Sequence, residues 1–163
     1  MATKAKQAVP EGYHTVTACL TLDNAAAAID WYKEALGAKE LSRAVGPGGQ
    51  IMHAELQIGD SRIMVNDPMM GTKGPKATGG SPASLWLYVD DCDALFNRAV
   101  KAGAQVLPGH GAMQDQFWGD RSGSVADPHG YTWTIATHKE DLTPEDMEQR
   151  QAEFMKQFAG AKG

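Results

Sequence analysis

The sequence predicts an α+β protein built from two βαβββ modules and a C-terminal helix, and three observations predict it. A strand–helix–strand phrase occurs twice, as "LTLDNAAAAIDWYKEALGAKEL" from Leu20 and "LYVDDCDALFNRAVKAGAQVL" from Leu87. Two more strand-like runs follow each copy, "IMHAELQIG" and "SRIMVND" in the first half, "RSGSVAD" and "YTWTIATH" in the second. A stretch dense in glycine and proline, "DPMMGTKGPKATGGSPAS", lies between the copies. Internal repetition of this kind marks one supersecondary unit used twice.

Each element has a local reason. Side chains alternate across a strand, so the first strand sets Val16, Ala18 and Leu20 against Thr15, Thr17 and Cys19. Asp23 and Asn24 then offer oxygens to the free N–H groups of a helix start. Ala28, Ile29, Tyr32 and Leu36 recur at helical spacing, and Gly37 supplies the left-handed stop. After an Ala-Lys-Glu-Leu strand, Ala54, Leu56 and Ile58 oppose His53, Glu55 and Gln57, and the turn at Gly59-Asp60 leads into the fourth strand. The second module repeats the pattern. Leu85, Leu87 and Val89 oppose Ser84, Trp86 and Tyr88; Asp90-Asp91 opens a helix with Leu95, Phe96, Ala99 and Val100 inward, and Gly103 stops it. An Ala-Gln-Val-Leu strand follows, and a turn at Pro128-His129-Gly130 joins the last two strands, where Trp133 and Ile135 oppose Thr132 and Thr134. In "LTPEDMEQRQAEFMKQF", Thr143 caps a third helix, Pro144 suits its first turn, and Met147, Phe154 and Phe158 share a face.

The expected organisation is a disordered tail over 1–12, modules over 13–68 and 84–138, a loop linker over 69–83, and a helix and tail over 139–163. The linker is long enough to be a lid, and equally fits a plain tether.

Composition narrows the function. Of 163 residues, 42% are apolar and 21% charged, as in ordinary globular proteins. A net charge of -5 argues against nonspecific nucleic-acid binding, which depends on basic residues meeting phosphates. No apolar run reaches the ~20 residues of a membrane span, so no membrane partner is expected. The start, "MATKAKQAVPEG", has lysines without an apolar stretch behind them, unlike a secretory signal. With only Cys19 and Cys92, a reducing cytoplasmic setting is the default expectation.

One face of every strand is greasy and suits the helices. The other carries hydroxyls, His53, Glu55, Trp86 and Tyr88. Antiparallel sheets often leave one face in water, but exposed tryptophan and tyrosine are costly there. The expectation is a concave pocket with aromatic walls and a few polar groups.

The phrases "AAAAIDWYKEALGA", "HAELQIGDSRIMVND" and "FWGDRSGSVADPHGYTWTIATH" resemble the vicinal oxygen chelate superfamily, the glyoxalase / bleomycin resistance / dioxygenase group, and most of all its PhnB-like subgroup. The resemblance spans about residues 12 to 138. It implies two four-stranded sheets curled into an open barrel-like cavity, commonly in a homodimer, with members that are metal-dependent lyases and isomerases, dioxygenases, thiol transferases or metal-free drug binders. The places that hold metal-binding His and Glu in the metalloenzymes fall here on Thr17, Met64, Ser84 and Thr134. None offers imidazole or carboxylate. The expectation is therefore no metal and no cofactor.

The remaining candidates are side chains on the polar face. His53 and Glu55, two apart on one strand, could form a base with its orienting carboxylate, or a rim pair. Cys19 could be a nucleophile, or an inert packed thiol. In "QFWGDRSG", Trp118 could wall the pocket while Asp120 and Arg121 meet a substrate, Arg121 as a fork for an anion; alternatively an Asp-Arg pair fixes the hairpin. His14, His110, His129 and His138 lack metal-site spacing. The expected ligand-binding set is Thr17, His53, Glu55, Met64, Ser84, Trp86, Tyr88, Trp118, Arg121 and Thr134. The first functional reading is metal-independent binding of a small molecule by a homodimer. The second is a lyase, isomerase or transferase acting through His53, Glu55 or Arg121, or through a non-standard metal site. A third is an interaction module that uses the C-terminal helix.

Overall fold

The computed structural model describes residues 5–160, with side chains through 157. Its elements are β1 (Cys19–Thr21), α1 (Ala25–Leu36), β2 (Lys39–Val45), β3 (Ile51–Ile58), β4 (Ser61–Asn66), α2 (Pro75–Thr78), β5 (Ser84–Tyr88), α3 (Cys92–Lys101), β6 (Gln105–Val106), β7 (Gln114–Asp115), β8 (Asp120–Ala126), β9 (Thr132–His138) and α4 (Pro144–Gly160). The fold is α+β with two mixed, open sheets. The chain forms two compact units: one runs to Pro82 and includes Pro128–Gly130, and the other comprises Ala83–Asp127 and the chain from Tyr131 onward.

In the first unit the sheet order is β1-β4-β3-β2, with β1 parallel to β4 and the other pairs antiparallel. The helix between β1 and β2 is the crossover that a parallel pair needs. Asn24 caps α1 by accepting from Ala27 N at 3.1 Å. Gly37 ends the helix with φ +69°, a conformation in which a Cβ is strained. The face read from the sequence is the buried one: Ala28, Ile29, Tyr32 and Leu36 pack toward the sheet with Ala54, Leu56 and Ile58. Each large apolar side chain so buried contributes about 1.5–3 kcal/mol. Asp67 ties the layers together, accepting from Ala25 N at 2.8 Å and from Ile51 N at 2.6 Å. Because the cap is exposed and has one partner, Asn24→Ala should lower unfolding free energy by about 1 kcal/mol in a denaturant titration, with an unchanged m-value.

The second unit repeats this topology as β5-β9-β8-β6, with β5 parallel to β9 and β7 added beside β8. Asp91 caps α3 by accepting from Ala94 N at 2.9 Å. Beneath the sheet Asp127 is buried and accepts from Trp133 Nε1 at 2.8 Å.

Several expectations need correction. The first strand is shorter than its alternation suggests, since only Cys19–Thr21 find ladder partners, at Met64–Asn66. Val16, assigned to the core, is 87% exposed, and Thr17 precedes the strand. Val100 is also exposed; Cys92, Phe96 and Ala99 form the inner face of α3. That helix ends at Lys101 with Ala102 as its cap, and Gly103, at φ +106°, turns the chain out of it as expected. The linker is not all loop: Pro75–Thr78 forms one helical turn, with Pro75 buried. The second sheet has five strands, where the resemblance implied four. Among the described residues, no helix is long and apolar enough to cross a membrane.

Candidate ligand-binding cleft

In the second unit, the polar face of β5, β8 and β9 meets the β7–β8 hairpin and α4 around a cleft of about 320 Å³. Its walls are aromatic. Trp86, which stands on β5, lies 6.4 Å from Trp118 between ring centroids. Phe117 meets Trp118 edge-on at 5.1 Å and Phe154 of α4 at 4.9 Å. The floor and rim are polar but uncharged at Gln114, Gln116, Ser122, Ser124 and Thr134, with His110 alongside. Ser124 and Thr134 share a hydrogen bond of 2.8 Å, and Gln116 Nε2 donates to Ser122 Oγ at 3.0 Å. Trp86 is 48% exposed, so a large ring stands ready for a partner. Among the described residues, no lysine, arginine, aspartate or glutamate lines this cleft.

A buried carboxylate organises the hairpin behind it. Asp120 is 3% exposed and accepts from Tyr88 Oη at 2.8 Å and Trp118 Nε1 at 2.9 Å, while His138 Nδ1 lies 2.8 Å away. Burial pushes the Asp120 carboxyl up, yet the hydrogen bonds from His138, Tyr88 and Trp118 prevail and hold it below the usual range. The same carboxylate raises the Tyr88 hydroxyl above the ordinary phenol value. Gly119, at φ +95°, permits the hairpin to pass Glu140, whose carbonyl oxygen would sit 2.5 Å from any added Cβ.

The structure brings Trp86, Trp118 and Thr134 of the expected set around this cleft. Ser84 lies on β5, paired with Thr132, and does not line it. Tyr88 points instead to Asp120. Arg121 does not pair with Asp120, because consecutive residues of a strand face opposite ways. Its guanidinium forks onto Asp93 through Nε at 2.7 Å and Nη2 at 2.8 Å, and reaches Asp115 through Nη1 at 3.2 Å. These bonds pull Asp93 below its usual range and push Arg121 up. Arg121 thus ties α3 and β7 to β8. Arg121→Ala should lower the melting temperature while leaving the affinity of any cleft ligand within about twofold; differential scanning fluorimetry beside a binding titration checks this.

The other candidates belong to the first unit. His53 Nε2 lies 3.5 Å from Glu55 Oε1, both half-buried on the polar face of β3. The neighbouring Tyr13 hydroxyl and then His53 hold the Glu55 carboxyl below its usual range, and Arg62 stacks on the Tyr13 ring at 4.9 Å. Met64 stands opposite both Cys19 and Glu55. The Cys19 sulfur contacts Asn66 Oδ1 at 3.3 Å, and burial pushes its thiol up, opposite to the activation that a nucleophile needs.

The four positions where the resemblance would put metal ligands do not fit a divalent ion. Thr17 and Met64 in the first unit give a hydroxyl and a thioether; Ser84 and Thr134 in the second give two hydroxyls, one already bonded to Ser124. Among the described residues, no three His, Cys, Asp or Glu side chains are grouped as a metal would need. His110, Gln114, Gln116, Phe117 and Phe154 are site residues that sequence reading missed. Phe154 carried a signal as part of the α4 stripe, and Gln116 and Phe117 stood beside Trp118 in "QFWGDRSG"; Phe158 of the stripe lies outside the residues with described side chains.

An uncharacterised protein of Mycobacterium tuberculosis is 42% identical over 134 residues, covering 79% of this chain and 77% of its own. TioX from Micromonospora sp. ML1 superposes with a TM-score of 0.61 at 27% identity, over 80% of this chain and 100% of TioX. TnmS3, an antibiotic binding protein from Streptomyces sp. CB03234, shares the fold with a TM-score of 0.60 at 20% identity, over 82% of this chain and 99% of its own. The Glyoxalase/Bleomycin resistance protein/Dioxygenase superfamily profile matches residues 13–135, and the chain belongs to that superfamily.

Proposed function

We propose that this protein binds a flat, uncharged aromatic small molecule in the cleft of its second unit, without a metal and without transforming it. One observation carries the reading: Trp86, Phe117, Trp118 and Phe154 wall a cleft whose polar lining is amide, hydroxyl and imidazole. Aromatic walls supply apolar burial and stacking. The amides and hydroxyls fix orientation, as in small-molecule sites generally. Among the described residues the lining is uncharged at its amides and hydroxyls, which favours a neutral ligand. A sequestering role agrees with the fold shared with TnmS3, which binds an antibiotic. The PhnB-like wording, homodimerisation and a cytoplasmic setting belong to the same proposal.

The catalytic reading is weaker because Arg121 is engaged by Asp93 and Asp115 and the Cys19 thiol is pushed up. Tryptophan-quenching titrations against a panel of neutral polycyclic aromatics test the proposal, with each mixture then resolved by chromatography. Saturable quenching with intact ligand is expected. A new product that His53→Ala or Glu55→Gln abolishes would favour an enzyme.

A further inference from the structure

We propose that α4 is a pH-latched lid of the aromatic cleft, held closed by the imidazolium of His138; this rests on the cleft being the ligand site. Two features make α4 a separable wall. It brings Phe154 against Phe117 at 4.9 Å, completing the cleft, yet its side chains from Pro144 to Gln157 are exposed apart from half-buried Met147 and Arg150. A helix with so little buried surface is held by few contacts. Its root is held by backbone bonds from Lys139 N and Glu140 N to Gly119 O, both 3.0 Å, and beyond them by charge. His138, the last residue of β9, has Nδ1 2.8 Å from Asp120 Oδ1 and Nε2 2.9 Å from Asp141 Oδ1. Ionised carboxylates only accept, so both ring nitrogens must donate, and only the protonated ring can do so. Farther along, Arg150 Nη1 donates to Glu140 Oε2 at 2.6 Å.

The groups facing His138 are Asp120 from β8 and Asp141 from the connection to α4. Tyr88 and Asp90 share its surface cleft, and Lys139 and Glu140 follow it in the chain with Asp115 beside them. Asp141 and then Asp120 raise the His138 pKa. The sign follows: the closed latch favours the proton, so it is complete below the ordinary histidine value of about 6.5 and is lost as pH rises through the raised one. Deprotonation costs one donated bond. The buried Asp120 retains its partner more readily than the fully exposed Asp141 does, so the connection to α4 is released first.

The test is amide hydrogen exchange over residues 144–157 at pH 6 and pH 8.5, corrected for intrinsic rates, in the wild type and in Asp141→Ala. Asp141 is fully exposed, so its truncation leaves the core intact. The wild type should lose about two- to fivefold protection of α4 on going to pH 8.5, the range exposed ion pairs reach, and Asp141→Ala should be equally unprotected at both. Nile red, neutral across this range, should dissociate more readily from the wild type at pH 8.5, and equally at both pH values from the variant. Equal α4 protection at both pH values in the wild type, or a full pH response kept by Asp141→Ala, would overturn the latch. Exchange that follows the pattern without any Nile red binding would instead overturn the cleft as the ligand site and leave the latch standing.

Discussion

Asp120→Ala is expected to lower unfolding free energy by about 2–4 kcal/mol, which corresponds to about 5–15 °C in melting temperature for a domain of this size. The carboxylate is 3% exposed and serves three donors: Tyr88 Oη, Trp118 Nε1 and His138 Nδ1. Truncation strands those donors around a small void, and the Trp118 indole loses the bond that orients it. Equilibrium denaturation gives the size of the effect, and a red-shifted tryptophan emission in the still-folded variant reports the loosened indole. Asp120→Asn should fall between the two, since it keeps the shape and one acceptor but turns an amide donor toward other donors. If Asp120→Ala melted with the wild type, the hairpin would owe its position to something other than this carboxylate.

Trp86→Ala is expected to do the reverse, weakening ligand binding about 10–30-fold while hardly moving stability. Truncating a stacking tryptophan at the centre of a site costs about 1.5–2 kcal/mol of binding. The ring is 48% exposed in the free protein, so little of the folding free energy rests on it. Isothermal titration beside a thermal melt separates the two effects. Similar losses of both would make Trp86 part of the core rather than a wall of the cleft.

The contrast between these two residues shows what was legible in the sequence. Trp86 announced itself because strand alternation put it on the polar face with Ser84 and Tyr88, and alternation is a local property. The repeated strand–helix phrase, the caps at Asn24, Asp91 and Thr143 and the stop at Gly37 were local too. Asp120 was visible as an unusual charge in "FWGDRSG" beside its partner Trp118, but its other partners lie 32 and 18 residues away at Tyr88 and His138. Arg121 was misread for the same reason: its carboxylates stand at Asp93 and Asp115, and pairing it with its neighbour ignored that adjacent strand residues diverge. The length of β1 depended on which residues β4 reached, so Val16 looked like core while lying beyond the ladder. Phe154 joins the cleft's aromatic wall through the return of α4 onto Phe117 of the hairpin, and no short window of sequence records that approach.

The most direct test of the central claim is a Nile red titration of untagged protein with its bound metals counted by elemental mass spectrometry, before and after exhaustive dialysis against a chelator. Metal-independent binding in the second unit's cleft predicts less than about a tenth of an equivalent of any transition metal, with saturable binding unchanged by the chelator and weakened by Trp86→Ala. Near one equivalent of metal, with binding that vanishes on chelation and returns with zinc, nickel or manganese, would contradict it.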